Sequence, residues 1–167
     1  IEIDVRKSLS GLTSSKLINN LNLLFNLALI KSEVQLNNEP TRQLMGQSPY
    51  VINAGVYYND ESNGIQLSLL YNIVGRRLFA VGGFTDGGER AYEDIYDLPR
   101  NVLDFSISKT FKERFQIKLS IADILNQRYT LMQDGNNDDS FDRQSDQIIQ
   151  ENRFGSLYTL GFTYKIW

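Results

Sequence analysis

The chain has 167 residues, with 17 Lys and Arg against 20 Asp and Glu, and it contains neither His nor Cys. The missing residue types exclude disulfides, zinc–thiolate sites, iron–sulfur clusters, His-based catalytic triads and His-ligated metals. A formal net charge of −3 without a basic run argues against nucleic acid as a partner. We therefore expect a protein that is not an enzyme and that uses no cofactor.

Apolar and polar residues alternate along seven stretches, which is typical of strands with one apolar and one polar face. The predicted strands, in chain order, lie at 1–6, 20–29, 50–58, 65–73, 103–108, 115–121 and 158–166. We expect them to be about nine residues or longer, which exceeds the usual strand of a globular sheet and suits a tilted crossing of a bilayer. No apolar run approaches the length of a membrane-spanning helix.

The connections between the predicted strands alternate in length. Short connections lie at 10–16, 59–64 and 111–114, and long ones at 37–49, 76–100 and 127–155. In an up-and-down antiparallel meander this places every short turn at one rim and every long loop at the other. Outer-membrane barrels have this asymmetry, with short periplasmic turns and longer extracellular loops. The pattern therefore predicts a transmembrane β-barrel in the bacterial outer membrane, with the C-terminus on the periplasmic side.

The composition of the two strand faces agrees with this prediction. One face is almost entirely Leu, Ile, Val, Phe and Tyr, and the other carries Asn, Ser, Thr, Gln, Asp, Lys and Gly. Aromatic residues near strand ends are expected to form a girdle at the periplasmic membrane interface: Tyr50, Tyr57, Tyr58, Phe111, Tyr164 and Trp167. The alternative is a soluble β-sandwich binding module, whose apolar faces pack on each other.

An odd number of strands does not close a single-chain bacterial barrel, in which the count is even. The chain also opens with the residues IEIDV, which already alternate. We therefore expect the first strand to continue from preceding strands of a larger barrel. The alternative is a missed eighth strand, which would make a small self-contained outer-membrane barrel with an adhesive or structural role.

Four segments resemble the late barrel strands of TonB-dependent outer-membrane receptors. They read GQSPYVINAGVYYND at 46–60, DLPRN at 97–101, IADILNQ at 121–127 and LGFTYKIW at 160–167. The last of these is similar to the aromatic-ended strand that the barrel-assembly machinery recognises. The resemblance extends over essentially the whole chain. The combination of the four segments in the family's order is more specific than any one of them.

The resemblance implies that residues 1–167 are the C-terminal portion of a barrel of twenty-two strands. In this family the barrel encloses an N-terminal plug, and a short N-terminal box engages the energising TonB complex; neither is found in these residues. The implied function is uptake of a scarce ligand of the siderophore, cobalamin, haem or glycan class. The implied partners are outer-membrane lipid, the remaining strands and plug of the same polypeptide, the TonB complex and the assembly machinery.

Candidate ligand-binding residues flank the predicted loop at 76–100. Aromatic rings and guanidinium groups offer stacking and bidentate contacts to a ligand that enters from outside. The candidates are Arg76, Arg77, Tyr92, Asp94, Tyr96 and Arg100. The competing interpretation is that these side chains only pack the loops or anchor the membrane interface.

A loop at 134–142 is dense in oxygen ligands, which Ca²⁺ prefers. Asp134, Asn136 and Asp138 stand two residues apart, as at the start of an EF-hand loop. The sixth position is Asp139 rather than Gly and the twelfth is Ser145 rather than Glu, so the pattern is incomplete. The alternative is a solvated outer loop of turn-forming residues.

Overall fold

The structure, a computed structural model, describes residues 1–36, 41–85, 89–136 and 138–166. Within these ranges the chain forms eleven β-strands and one short helix, so the prediction of an all-β fold is confirmed. The elements are β1 Glu2–Ser8, α1 Lys16–Asn19, β2 Leu21–Leu29, β3 Tyr50–Asp60, β4 Ile65–Val74, β5 Arg77–Ala80, β6 Ile95–Asp97, β7 Arg100–Phe111, β8 Phe115–Ala122, β9 Tyr129–Gln133, β10 Gln147–Asn152 and β11 Leu157–Tyr164.

Seven strands pair in one antiparallel sheet in the order β1-β2-β3-β4-β7-β8-β11. These are the seven strands that the alternation predicts, and the meander is confirmed. The connections at 9–20, 61–64 and 112–114 lie at one rim, which we call the short-turn rim, and those at 30–49, 75–99 and 123–156 lie at the other, the long-loop rim. The first short connection contains α1, which the sequence pattern did not predict. The sheet is open, with β1 and β11 at its edges.

The register of the sheet aligns the apolar residues of neighbouring strands. One row of directly paired residues runs across six strands through Leu23, Val56, Leu69, Phe105, Ile121 and Tyr158. The next row in the direction of the short-turn rim runs through Leu21, Tyr58, Leu67, Ile107, Leu119 and Leu160. Because side chains alternate between faces, a slip of one residue would move an entire strand's apolar set to the other face. The alternation in the sequence therefore excludes slips by an odd number of residues, and the turns between the strands fix the rest of the register.

The four shorter strands form a second antiparallel sheet in the order β10-β9-β6-β5. Each of them adjoins a long strand in the chain: β5 follows β4, β6 precedes β7, β9 follows β8 and β10 precedes β11. The order of the second sheet therefore repeats the order β11-β8-β7-β4 of the first. The long loops thus continue the wall of the large sheet at the long-loop rim.

Specific residues interrupt the chain between the two sheets. Pro99, between β6 and β7, has no N–H to give to a strand ladder. Asp123 and Asn126, between β8 and β9, have φ angles of 53° and 43°, in the left-handed region that strands exclude. These breaks separate β6 from β7 and β9 from β8.

The tightest turn at the short-turn rim joins β7 to β8. Lys112 and Glu113 have φ angles of 50° and 58°, and the N–H of Arg114 donates to the carbonyl of Phe111 at 3.1 Å. Two left-handed central residues define the type I′ turn, whose twist matches that of an antiparallel hairpin. Among the described helices, none has the length and apolar character needed to cross a membrane.

The fully buried hydrophobic residues of the described chain all belong to the second sheet. Leu78 on β5 and Leu131 and Met132 on β9 are at most 3% exposed. No large apolar side chain of the seven-stranded sheet reaches that degree of burial in the described ranges. The larger sheet therefore has an apolar face but no core packed against it.

Candidate ligand-binding site

The apolar face of the seven-stranded sheet is uncovered even at its centre. Leu69 on β4 and Leu119 on β8 are 39% and 38% exposed, although each has a paired strand on both sides. On the edge strand β11, Phe162 is more exposed still and its ring stacks on Phe115, with 6.3 Å between centroids. This face presents a largely apolar surface, interrupted by Lys7 and Lys109, to its surroundings.

The opposite face is polar, and its side chains hydrogen-bond to one another across the strands. The Asn72 amide donates to Asn53 at 2.7 Å and the Asn53 amide donates to Asn26 at 3.3 Å, which makes a ladder across β4, β3 and β2. Nearer the short-turn rim, the hydroxyls of Ser68 and Ser106 are 2.8 Å apart. A groove of about 400 Å³ lies on this face. Cross-strand pairs of this kind stabilise a sheet face that remains hydrated.

The six predicted interface aromatics do not lie at one rim. Tyr58, Phe111 and Tyr164 are near the short-turn rim, where Phe111 and Tyr164 both pair with Phe115. The expected grouping is wrong for Tyr50, which pairs with Leu29 beside the long loops. It is also wrong for Tyr57, which pairs with Ser68 on the polar face. Trp167 lies outside the described residues.

Three of the six predicted ligand-binding residues meet in a cleft at the long-loop rim. The cleft has a volume of about 450 Å³ and separates the segment 30–49 from the second sheet. Arg76, Asp94 and Tyr96 line it. Its other polar lining residues are Lys31, Ser32, Glu33, Thr41, Arg42, Gln43, Gln47, Arg90 and Asp139. We call this the rim cleft.

Arg76 is held rigidly in the wall of the rim cleft. Its guanidinium carbon lies 4.9 Å from the ring centroids of both Tyr96 and Phe141, and these two rings meet edge to face at 5.3 Å. One guanidinium nitrogen donates to the Asp139 carbonyl at 2.9 Å and the other to the Asp139 carboxylate at 2.5 Å. Two aromatic contacts and two hydrogen bonds fix the orientation of this cation.

Asp94 is a buried carboxylate on the same wall. It accepts a hydrogen bond from the backbone N–H of Gly82 at 2.7 Å and lies 3.4 Å from the guanidinium of Arg90. Arg90 also donates to Glu93 at 2.9 Å. Burial, and secondarily the negative charge of Asp94, raises the pKa of the neighbouring Tyr96 phenol. Tyr96 is therefore a neutral hydroxyl in the rim cleft at physiological pH.

The other three predicted residues lie elsewhere. Arg77 pairs with Asp97, and Arg100 donates to Asp123 at 2.7 Å. Both arginines line a smaller cavity of about 220 Å³ rather than the rim cleft. Tyr92 is 73% exposed and does not line the rim cleft. Arg77 thus links β5 to β6, and Arg100 links β7 to the residue after β8.

Sequence reasoning missed Lys31, Arg42, Arg90 and Asp139 as lining residues of the rim cleft. Three of them come from other segments of the chain than the flanks of the 76–100 loop. The approach of Asp139 depends on the pairing of β6 with β9, which places the two longest loops side by side. Lys31 and Arg42 belong to the segment between β2 and β3, which contributes no strand to the second sheet. Only Arg90 lay within the loop already suspected of binding an organic ligand, and its spacing of four residues from Asp94 was a usable signal.

The calcium candidates direct their oxygens at the backbone of their own loop. The Asp134 carboxylate accepts hydrogen bonds from the N–H groups of Asp138 and Asp139, at 3.2 and 2.9 Å. Asn136 accepts from Asp138 N–H at 3.2 Å, and Asp138 accepts from Ser140 N–H at 2.8 Å. Within 1–36, 41–85, 89–136 and 138–166, no three acidic side chains converge as a metal site would need. The loop is a set of side-chain-capped turns.

Comparison with protein-family models, with curated proteins and with solved structures finds no match to this chain.

Proposed function

We propose that the chain is a C-terminal wall segment of a TonB-dependent outer-membrane receptor, and that it takes part in uptake of a scarce ligand. The segment would supply membrane wall, outward-facing loops and the strand that the barrel-assembly machinery recognises. Catalysis is not part of the proposal.

The observation that carries the proposal is the uncovered apolar face. Soluble proteins rarely expose a contiguous apolar patch larger than a few hundred Å². Here the apolar rows cross six of the seven strands, and residues on strands with a neighbour on each side, such as Leu69 and Leu119, remain more than a third exposed. In a β-sandwich these side chains would interleave with a second sheet about 10 Å away. Hydrocarbon chains of lipid are the surroundings that such a face favours.

The lengths of the strands and connections support a bilayer crossing. The three longest strands, β3, β4 and β7, have 11, 10 and 12 residues. A tilted strand needs about 9–11 residues to cross the hydrocarbon core. The connections at one rim are short and those at the other are long, as in outer-membrane barrels.

The two free edges support membership in a larger barrel. β1 and β11 each pair on one side alone within the described sheet. In lipid an unpaired row of N–H and C=O groups costs several kcal/mol per group, so edges must be closed by further strands. The resemblance to TonB-dependent receptors supplies the identity of those strands, together with the plug, the TonB complex and the uptake function.

Membrane fractionation of the natural polypeptide that carries this chain tests the lipid-facing surface. We expect it to sediment with outer membranes and to stay monodisperse only in detergent. A protein that is monodisperse in plain buffer at high concentration contradicts the proposal and supports the soluble sandwich.

A distance between the two edge strands distinguishes a large barrel from a small one. The chain contains no Cys, so spin labels attach only at introduced sites. With labels at Val5→Cys on β1 and Leu160→Cys on β11, a large barrel gives a separation of many strand widths. In the small self-contained barrel the eighth strand lies between β1 and β11, so a separation of two strand widths, about 10 Å plus the label linkers, supports that alternative.

A further inference from the structure

We infer that the rim cleft binds a ligand through carboxylate groups, which replace the carboxylates of Asp139 and Glu33 beside the cations of the cleft. The inference rests on the proposed function, because it treats the long-loop rim as the side on which ligand arrives. It adds to that function the chemical class of the ligand.

Arg76, a cation in the wall of the rim cleft, is better fixed than its counter-ion. The Arg76 side chain is 24% exposed and lies over two aromatic rings, whereas the Asp139 side chain that pairs with it is 79% exposed. Lys31 and Glu33, which pair at 2.7 Å, are both exposed, at 85% and 59%. An exposed carboxylate gives up an ion pair at small cost, because water solvates it as soon as it leaves. These two acidic side chains are therefore displaceable.

The third acidic residue of the rim cleft behaves differently. Asp94 is 4% exposed and receives both a backbone N–H and the Arg90 guanidinium. Removing a buried charge from its partners leaves an uncompensated charge, so this pair stays in place. Asp94 thus keeps Arg90 oriented while the carboxylates of the ligand replace Asp139 and Glu33 as partners of Arg76 and Lys31.

The chemistry of the exchange selects carboxylates. A guanidinium presents a planar fork that matches a carboxylate with two parallel hydrogen bonds. The resident acceptors of Arg76 are the backbone carbonyl and one carboxylate oxygen of Asp139, so two oxygen atoms already occupy its fork. The hydroxyls and amides of Ser32, Thr41, Gln43 and Gln47 line the same cleft and suit the neutral polar parts of a ligand. A volume of about 450 Å³ accommodates a small polycarboxylate.

The test is calorimetric titration of the detergent-purified natural polypeptide with tricarballylate, a tricarboxylate without a chelating hydroxyl. Arg76→Gln should weaken binding at least tenfold, because the fixed cation is lost. Asp139→Asn should strengthen binding several-fold, because the competing carboxylate is lost. Asn also tolerates the left-handed backbone of this position, where φ is 63°, so the substitution isolates the charge.

Two matched control residues lie with Asp139 in the loop between β9 and β10 but do not line the rim cleft. Arg143→Gln removes an arginine that pairs with Glu151, and Asp138→Asn removes a carboxylate that caps Ser140. Both should bind tricarballylate within twofold of the unsubstituted protein. The trimethyl ester of tricarballylate and inorganic phosphate should not compete.

Weaker or unchanged binding by Asp139→Asn overturns the inference even if Arg76→Gln fails to fold. Absence of binding at millimolar tricarballylate, or preference for phosphate, also overturns it. If binding fails in one of these ways but the protein still sediments with outer membranes, the inference about the ligand is wrong and the proposed function is not contradicted. Conversely, the expected binding by a protein that needs no detergent would support the cleft and contradict the membrane assignment.

Discussion

Gly64 completes the turn between β3 and β4 with a φ of +63°, a conformation that costs other residues energy. A Cβ atom at this position would lie 2.6 Å from the carbonyl oxygen of Thr110 on the adjacent strand β7. The backbone carbonyl of Gly64 accepts a hydrogen bond from the N–H of Thr110 at 2.8 Å. The residue is therefore required for two separate reasons, backbone conformation and a close approach of strands.

Gly64→Ala is expected to destabilise the protein by more than Gly11→Ala. Gly11 also has a positive φ, +79°, but its Cβ would meet nothing within 4 Å. The control therefore carries only the conformational cost, about 1–2 kcal/mol, whereas Gly64→Ala adds a backbone clash. Chemical unfolding in detergent micelles measures both. Equal losses would mean that the hairpin shifts away from Thr110 without cost.

Asp60 explains how a carboxylate is tolerated at the end of an apolar strand face. It pairs with Ile65 and is 4% exposed, yet its oxygens accept from Ser62 Oγ at 2.6 Å and from the Asn63 backbone and side chain at 3.1 and 2.7 Å. A buried charge with this number of donors has its desolvation offset. The residue caps the turn rather than forming a binding site.

At the scale of elements, the hairpin of β9 and β10 depends on one acidic residue. Glu151 on β10 pairs with both Arg128 and Arg143, which precede β9 and β10 respectively. Its hydrogen bond to Arg143, followed in smaller part by its contacts to Arg128, lowers its pKa below the ordinary value of 4.5. The folded hairpin therefore favours the ionised form of this carboxyl.

The stability of this hairpin is expected to fall in acid. Because the folded-state pKa is lowered, the unfolded chain takes up the proton first, and stability decreases as the pH drops below about 4.5 through the folded value. The stability of the hairpin is measured by the hydrogen-exchange protection factors of the backbone amides of residues 129–133, corrected for the intrinsic exchange rate at each pH. Glu151→Gln should flatten this dependence, and Glu113→Gln at the far rim should preserve it. A flat profile in the unsubstituted protein contradicts the prediction.

The sequence predicted long strands and missed short ones. Strands such as β3 and β4 show the alternation over ten or more residues, so the period is unmistakable. β6 has three residues and β5 has four, which is too few to show any period. Their strand state comes from the ladder that they form with each other and with β9. Pairing between distant segments is a tertiary property that no local window reports.

At the scale of the whole molecule, the two faces of the large sheet predict different losses of stability when a charged side chain is introduced. Leu69 and Ser68 are neighbours on β4, the first paired with Val56 and Phe105 and the second with Tyr57 and Ser106. If the apolar face contacts lipid, Leu69→Lys places an ammonium in hydrocarbon and costs about 2–4 kcal/mol. Ser68→Lys instead loses one hydrogen bond in a hydrated groove, about 1 kcal/mol.

Reversible unfolding from lipid vesicles measures this difference. Leu69→Lys should lower the free energy of unfolding more than Ser68→Lys does. A similar small loss for both variants would mean that the apolar face meets water or an adaptable protein surface, and it would contradict the membrane assignment.

The candidate site was predictable only where its residues lie in one segment of the chain. Guanidinium and aromatic groups in one loop identified Arg76, Asp94 and Tyr96 from composition alone. Their neighbours Lys31 and Asp139 come from segments that are 45 and 63 positions away from Arg76 in the chain. No spacing rule connects residues so far apart, because the strand order of the second sheet brings in Asp139 and the segment between β2 and β3 brings in Lys31.

The sequence by itself determined the seven long strands, the face on which each of their residues lies and the sorting of loops to two rims, because alternation with a period of two encodes which face each residue occupies. Only the tertiary structure decided the register of the strands, that the long loops form a second sheet with its own small core, that Tyr50 and Tyr57 leave the expected girdle, and that Arg76 and the exposed carboxylate of Asp139 meet in one cleft. The physical reason is that local pattern specifies the face of a strand, whereas contacts between distant segments are specified by the free energy of the whole packed chain.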